Sequence, residues 1–322
     1  MTSLTPGVAL IALATACSSH EGTPPPLASA PPSPAASAAG AEAAASRAPG
    51  EPAAGRGKPD AGGAKAEPGA EGRAKAEPAA GGRATAESAP LPPTTGEWLQ
   101  PLVDSGGVRV AEFSPPLGAT GRRPLVVALH GGGDAPEYAC GEWRGSFGSW
   151  PFILCPYGTK VGKKMYAWRS GADARRALEH AIEVLAAKYP EHLDLRDPVL
   201  TGFSQGAMTA PSALAAPGRA FPAAILVEGY AKDFNAWPKP MEARGLERIL
   251  FVDSQGLNAE RGKAAVRALE RSTGVRARSI YIGHLGHGFF PKTVEGVRKG
   301  LAELLGGLPG WERYPYPPIE PQ

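Results

Sequence analysis

Two apolar runs, PLVVALH at 124–130 and PFILCPY at 151–157, are nearly continuous instead of alternating. Successive side chains of a strand point to opposite faces, so a strand without polar alternation needs cover on both sides. That requirement confines the fold to a sheet packed between layers of helix. The chain from Gly96 onward supplies both. GVRVAEF at 107–113 alternates like a half-exposed strand, and ARRALEHAIEVLAAKY at 174–189 sets Leu178, Ile182 and Leu185 on one stripe with Ala177 and Ala181 beside it. DPVLTGF then reads as a strand, QGAMTAPSALAA as a helix that Pro211 should kink, and AAILVEG and RILFVDS as strands. AERGKAAVRALERSTG is a helix closed by Gly274, VRARSIYIG a strand, and TVEGVRKGLAELLG a last helix. The expected class is α/β, a mostly parallel sheet covered by helices on both faces. In such sheets ligands bind beyond the carboxyl ends of the strands.

The first 95 residues follow other rules. From about Cys17 to Thr95 the chain is Ala, Pro, Gly and Ser with scattered charges, and its only large apolar residues are Leu27 and Leu91. It cannot bury enough apolar surface to offset the entropy of ordering it, so a disordered linker is expected over 18–95. AKAEPGAEGR at 64–73 and AKAEPAAGGR at 74–83 repeat one polar unit, too short and too rich in Pro and Gly for a solenoid. A flexible tether of that length reaches about 50 Å. TPGVALIALATAC ahead of it has an apolar core of about ten residues, which as a helix spans ~15 Å of a ~30 Å bilayer. It reads as a secretory signal over 1–17, and its Ala14-Thr15-Ala16-Cys17 end resembles a lipoprotein box that would lipidate Cys17. The folded domain is expected over 96–310, with a Pro-rich tail at 311–322.

Cysteine usage fits export. With Cys17 lipidated, Cys140 and Cys155 are left either as a disulfide in an oxidising compartment or as two buried thiols. The net charge of +3 is dispersed, with no basic block interleaved with aromatics, so nucleic acid is not an expected partner.

Four strand ends carry chemistry. In VLTGFSQGAM, Gly202-Phe203-Ser204-Gln205-Gly206 stands between a buried strand and a helix. There a Gly-x-Ser-x-Gly turn lifts a serine hydroxyl clear and aims the next N–H at the reacting oxygen. LHGGGD at 129–134 follows a strand and offers backbone amides to an oxyanion. No Gly-Lys-Ser/Thr and no immediate helix follow it, which disfavours phosphate. GHLGHGFF at 283–290 places His287 between glycines as a general base, with His284 as a packed or surface histidine. DSQGLNAE supplies Asp253 at the end of an apolar run, positioned to orient His287, although it could equally terminate the strand. Glu228, at the end of AAILVEG, is the alternative acid; Glu260 starts a helix and Asp233 follows a turn.

With these segments in this order the chain resembles the α/β-hydrolases, over about residues 107–305. Within them it is similar to the secreted branch of polyhydroxybutyrate depolymerase-like and feruloyl esterase-like proteins and to relatives of dienelactone hydrolase. The resemblance implies Ser204 as nucleophile, His287 as base, and an oxyanion hole from the Gln205 amide with an amide of Gly131, Gly132 or Gly133. The chain departs from the family at the acid: relatives end that strand in His-Gly with an aspartate soon after, whereas here SQGLN follows, with Asn258 nearest that place.

The expected activity is cleavage of carboxylic esters, small or polymeric, through an acyl-enzyme by a lipid-anchored envelope or extracellular protein. Neither metal nor cofactor is called for. Trp143, Trp150, Trp168 and Tyr166 could stack on an aromatic or sugar ester or could be core. Two other readings stay open: a surface lipoprotein that keeps the fold for binding alone, and a serine peptidase.

Overall fold

The structure is a computed structural model and describes residues 89–231 and 233–320. The chain divides into two units, Met1–Ala80 and Gly81–Gln322. The first lies outside the described residues, and with it the expected signal, Cys17 and most of the linker.

Among the described residues one sheet holds eight strands and a hairpin stands apart. In chain order the strands are β1 (Gln100–Val103), β2 (Arg109–Ser114), β3 (Arg123–Leu129), β4 (Phe152–Pro156), the hairpin β5 (Thr159–Gly162) and β6 (Met165–Ala167), β7 (Leu193–Phe203), β8 (Ala223–Val227), β9 (Arg248–Asp253) and β10 (Arg276–Tyr281). The spatial order is β1-β2-β4-β3-β7-β8-β9-β10. β2 runs antiparallel to both neighbours, and every other pairing in the sheet is parallel.

The uninterrupted apolar runs have their expected cause. Leu125, Val127 and Leu129 of β3 enter one core, and Val126 and Ala128 enter the other. Helices α2 (Gly171–Lys188), α3 (Gln205–Ala215) and α5 (Gly256–Ser272) cover the first core with Leu178, Ile182, Leu185, Ala207, Ala210 and Leu269. Helices α1 (Pro136–Phe147) and α6 (Pro291–Leu305) cover the second with Trp143, Phe147, Val297 and Leu301. Each fully buried Leu or Val contributes about 1.5–3 kcal/mol relative to exposure. A short α4 (Pro238–Ala243) completes the set, and α3 runs through the buried Pro211.

Several boundaries differ from those read off the sequence. The end of the expected linker packs on the domain: Leu91 donates to the Thr120 carbonyl, Gly118 donates to the Thr94 carbonyl, and Thr94 is buried. The segment after 310 is no free tail, because Trp311 and Tyr314 are buried and donate to the carbonyls of Asp197 and Phe147. A helix does start just beyond the glycine loop, since α1 opens at Pro136. Its two internal glycines, Gly141 and Gly145, conceal it in the sequence by lowering helix propensity. Proline at its first turn also removes one N–H from that end. Cys140 of α1 and Cys155 of β4 are joined as a disulfide.

Candidate active site

Strand β7 ends at Phe203 and α3 begins at Gln205, so Ser204 alone makes the turn, at φ 51° and ψ −116°. A non-glycine residue rarely occupies that region, and the strain is held by its surroundings. The flanking glycines are obligatory. A Cβ on Gly206 would lie 2.1 Å from the Leu129 carbonyl oxygen, and one on Gly202 2.6 Å from the Gly206 carbonyl carbon. The part-exposed Ser204 hydroxyl is thereby raised above the strand ends.

His287 comes from the loop after β10. Its Nε2 lies 2.8 Å from Ser204 Oγ, and its ring stacks on Phe203 with centroids 5.3 Å apart. Phe203 rests on Phe289, which meets Trp143 edge-on. The fold is that of an α/β-hydrolase. A serine on a strained strand-to-helix turn at a central parallel strand, with its histidine arriving from the last strand, is the arrangement that superfamily builds.

In an α/β-hydrolase the oxyanion donors come from the residue after the nucleophile and from the loop after β3. Gln205 opens α3, so its N–H has no intrahelical acceptor. Of the three loop glycines, Gly133 already donates to Tyr166 O at 2.8 Å, which leaves Gly131 and Gly132. Gly132 lies against the Gln205 side chain, where a Cβ would sit 3.1 Å from its Oε1. The Gln205 side chain is itself fixed: the Trp168 N–H donates to Oε1 at 3.0 Å and Nε2 donates to Trp168 O at 3.2 Å. Trp168 Nε1 donates to His130 O at 2.9 Å, and the two rings stack at 4.6 Å. His130 is buried, donates from Nδ1 to Gly131 O at 2.7 Å and accepts from Gly158 N–H at Nε2. Burial lowers its pKa, so it braces the glycine loop as a neutral ring.

The expected acid is not where a triad needs it. Asp253 Oδ2 accepts from Tyr230 OH, and its Oδ1 is buried with no partner. The neighbouring side chains explain this: a Cβ on Gly262 of α5 would lie 3.0 Å from Asp253 Oδ2, so the carboxyl faces α5. Burial pushes it up to about 7, with the nearby Glu228 acting in the same sense and the Tyr230 hydrogen bond opposing. The alternative, Glu228, does not reach His287 either. It is buried at φ 53°; its Oε1 accepts the N–H groups of Ser254 and Gln255, and its Oε2 accepts from Asn258 Nδ2 at 2.9 Å. Asn258, the residue nearest the family's acid position, is thus spent on Glu228. Glu260 is exposed and pairs with Lys263; Asp233 and His284 are exposed. Among the described residues no carboxylate contacts His287.

The aromatic residues divide. Trp143 and Trp168 are buried, while Trp150 packs on Trp311 and Tyr314 and carries Arg123 over its ring. Tyr166 lies on β6, 4.8 Å from Tyr157. Two features leave no mark in the sequence, the Gln205 side-chain bonds to Trp168 and the Phe203 shelf under the imidazole, because each joins distant chain segments.

No family model matches the chain, and no curated protein does. Among solved structures, a Bacillus cereus carboxylesterase is similar at 17% identity and TM-score 0.45, covering 60% of this chain and 92% of its own. Zea mays acyl-protein thioesterase 2 gives 18% and 0.42, over 61% and 99%. Pyrococcus horikoshii acylaminoacyl peptidase gives 15% and 0.49, over 67% and 43%.

Proposed function

We propose that this protein hydrolyses carboxylic esters through an acyl-enzyme formed on Ser204, with His287 as general base and acid. The observation that carries the reading is the 2.8 Å contact between His287 Nε2 and the Oγ of a serine held at positive φ. Ser204 Oγ attacks the ester carbonyl while His287 Nε2 takes its proton; the same proton passes to the departing alkoxide as the tetrahedral adduct collapses. Water then repeats the sequence on the acyl-enzyme. The N–H of Gln205, with that of Gly131 or Gly132, receives the oxyanion, and each such donor is worth ~3–4 kcal/mol of barrier.

The catalytic unit in this reading is a dyad. A serine and histidine without a carboxylate behind them retain part of a triad's rate through the oxyanion hole and substrate binding. A second reading, binding without turnover, is favoured by the same observation, that among the described residues no carboxylate contacts His287. Export and anchoring through Cys17 belong to the proposal, supported by the Cys140–Cys155 bond, a linkage at home in an oxidising compartment. So does kinship with the polyhydroxybutyrate depolymerase-like and feruloyl esterase-like branch.

The test is incubation of the purified protein with a fluorophosphonate probe and a short-chain aryl ester, beside Ser204→Ala. Labelling and turnover that vanish in the alanine variant support the hydrolase; wild-type behaviour indistinguishable from Ser204→Ala leaves the binding reading.

A further inference from the structure

Taking the dyad reading as its basis, we infer that Ser254 is the positioning residue for His287, holding it through the peptide that precedes it, and that Glu228 holds Ser254. The Ser254 hydroxyl donates to the carbonyl oxygen of Gly286. That carbonyl and the N–H of His287 belong to one planar peptide unit, so fixing the oxygen fixes the plane from which the His287 side chain departs. Gly286 sits at φ 86° and Gly283 at φ 94°, the left-handed region that glycine enters without steric cost, and neither residue has a side chain with which to anchor the loop. Ser254 is fully buried, as a support should be.

Glu228 completes the device. The Gln255 side chain makes no capping bond to the α5 backbone and accepts from Asn258 Nδ2 at 3.1 Å, while the Glu228 carboxylate accepts the N–H groups of Ser254 and Gln255 where the chain enters the helix. A negative charge there also opposes the helix dipole favourably. The same strand end touches the nucleophile: Ser204 N–H donates to Val227 O at 2.9 Å, and a Cβ on Gly229 would lie 2.2 Å from the Ser204 carbonyl oxygen. One buried glutamate therefore ties the turn carrying Ser204 to the turn that supports His287. It does so without touching the imidazole, and this separates it from a triad acid.

The experiment compares wild type, Ser254→Ala and Glu228→Gln by aryl-ester kinetics across pH and by hydrogen–deuterium exchange of the peptide covering 283–290. For Ser254→Ala, kcat should fall about 10- to 100-fold, the loss that follows a displacement of order 1 Å, with KM changed no more than about twofold. The acid limb of the kcat/KM profile should stay in place, since no charge beside the imidazole has changed, and the 283–290 amides should exchange faster in both variants. Two results would overturn the inference. One is Ser254→Ala with wild-type kcat and unchanged exchange. The other is Glu228→Gln alone losing about 10⁴ in kcat with a displaced acid limb, the signature of a direct acid. If wild type neither labels nor turns over, the hydrolase reading fails, and exchange still decides whether Ser254 supports the loop.

Discussion

Gln205 and Trp168 hold each other by a closed pair of hydrogen bonds, the side-chain amide of one matched to the backbone N–H and C=O of the other at 3.0 and 3.2 Å. The residue proposed to supply an oxyanion N–H is thus bound by its own side chain to the strand end leaving the β5–β6 hairpin. Gln205→Leu keeps the backbone N–H and the bulk but removes both bonds. It should lower kcat about 10- to 100-fold with little change in KM, as misaligned preorganised donors do. Steady-state kinetics on an aryl ester provide the check.

Asp253 makes a prediction about stability. Its folded-state pKa of about 7 stands above the 3.8 of an unperturbed aspartate, so the folded state binds the extra proton between those values. Stability is therefore fully present below about pH 4 and declines as pH rises through 7. Asp253→Asn removes this decline. It should melt about 8–16 °C above wild type at pH 8, equivalent to roughly 4 kcal/mol, with the gap closing toward pH 4. Glu142, pushed up to about 8 mainly by burial, contributes the same slope to both proteins and cancels in the comparison. Ester turnover should survive in the variant, because the carboxyl faces Tyr230 and not His287.

The Cys140–Cys155 bond closes a loop between residues 15 apart and joins α1 to β4. On the chain-entropy model it contributes about 3 kcal/mol. A double Cys→Ala variant should unfold at correspondingly lower urea, and α1 should show the largest gain in amide exchange.

Gly206→Ala places a methyl 2.1 Å from the Leu129 carbonyl oxygen, where backbone meets backbone and no side chain can yield. A loss above about 4 kcal/mol, in the exceptional class for single substitutions, is expected in urea melts.

The fold was legible because burial on both faces leaves a mark on each strand, as at 124–130, and because the elbow needs glycine on both sides of Ser204 for steric reasons. Ser204 and His287 were legible for the same cause: turns with special backbone demands limit residue choice. Asp253 was misread because a strand-end carboxylate looks alike in sequence whether it points above the sheet or, as here, toward α5. Helix α1 escaped because its packing, through Cys140 and Trp143, outweighs two internal glycines. The supports of the site were invisible, since Gln205 meets Trp168, and Ser254 meets Gly286, across 37 and 32 residues of intervening chain.

The strand order has a last consequence, for how this chain tolerates change in length. β7, β8, β9 and β10 are consecutive neighbours, so the loop that starts at β10 must cross three strand spacings, about 14 Å, to bring His287 over β7. Ser254, at the end of β9, meets that span part-way across. One inserted residue adds up to about 3.5 Å of reach, several times the error a proton transfer at hydrogen-bond distance can absorb. Insertions between Ile282 and His287 should therefore be the least forgiven of any loop in the domain, and a search for functional relatives should weigh the count of residues in that interval above their identities.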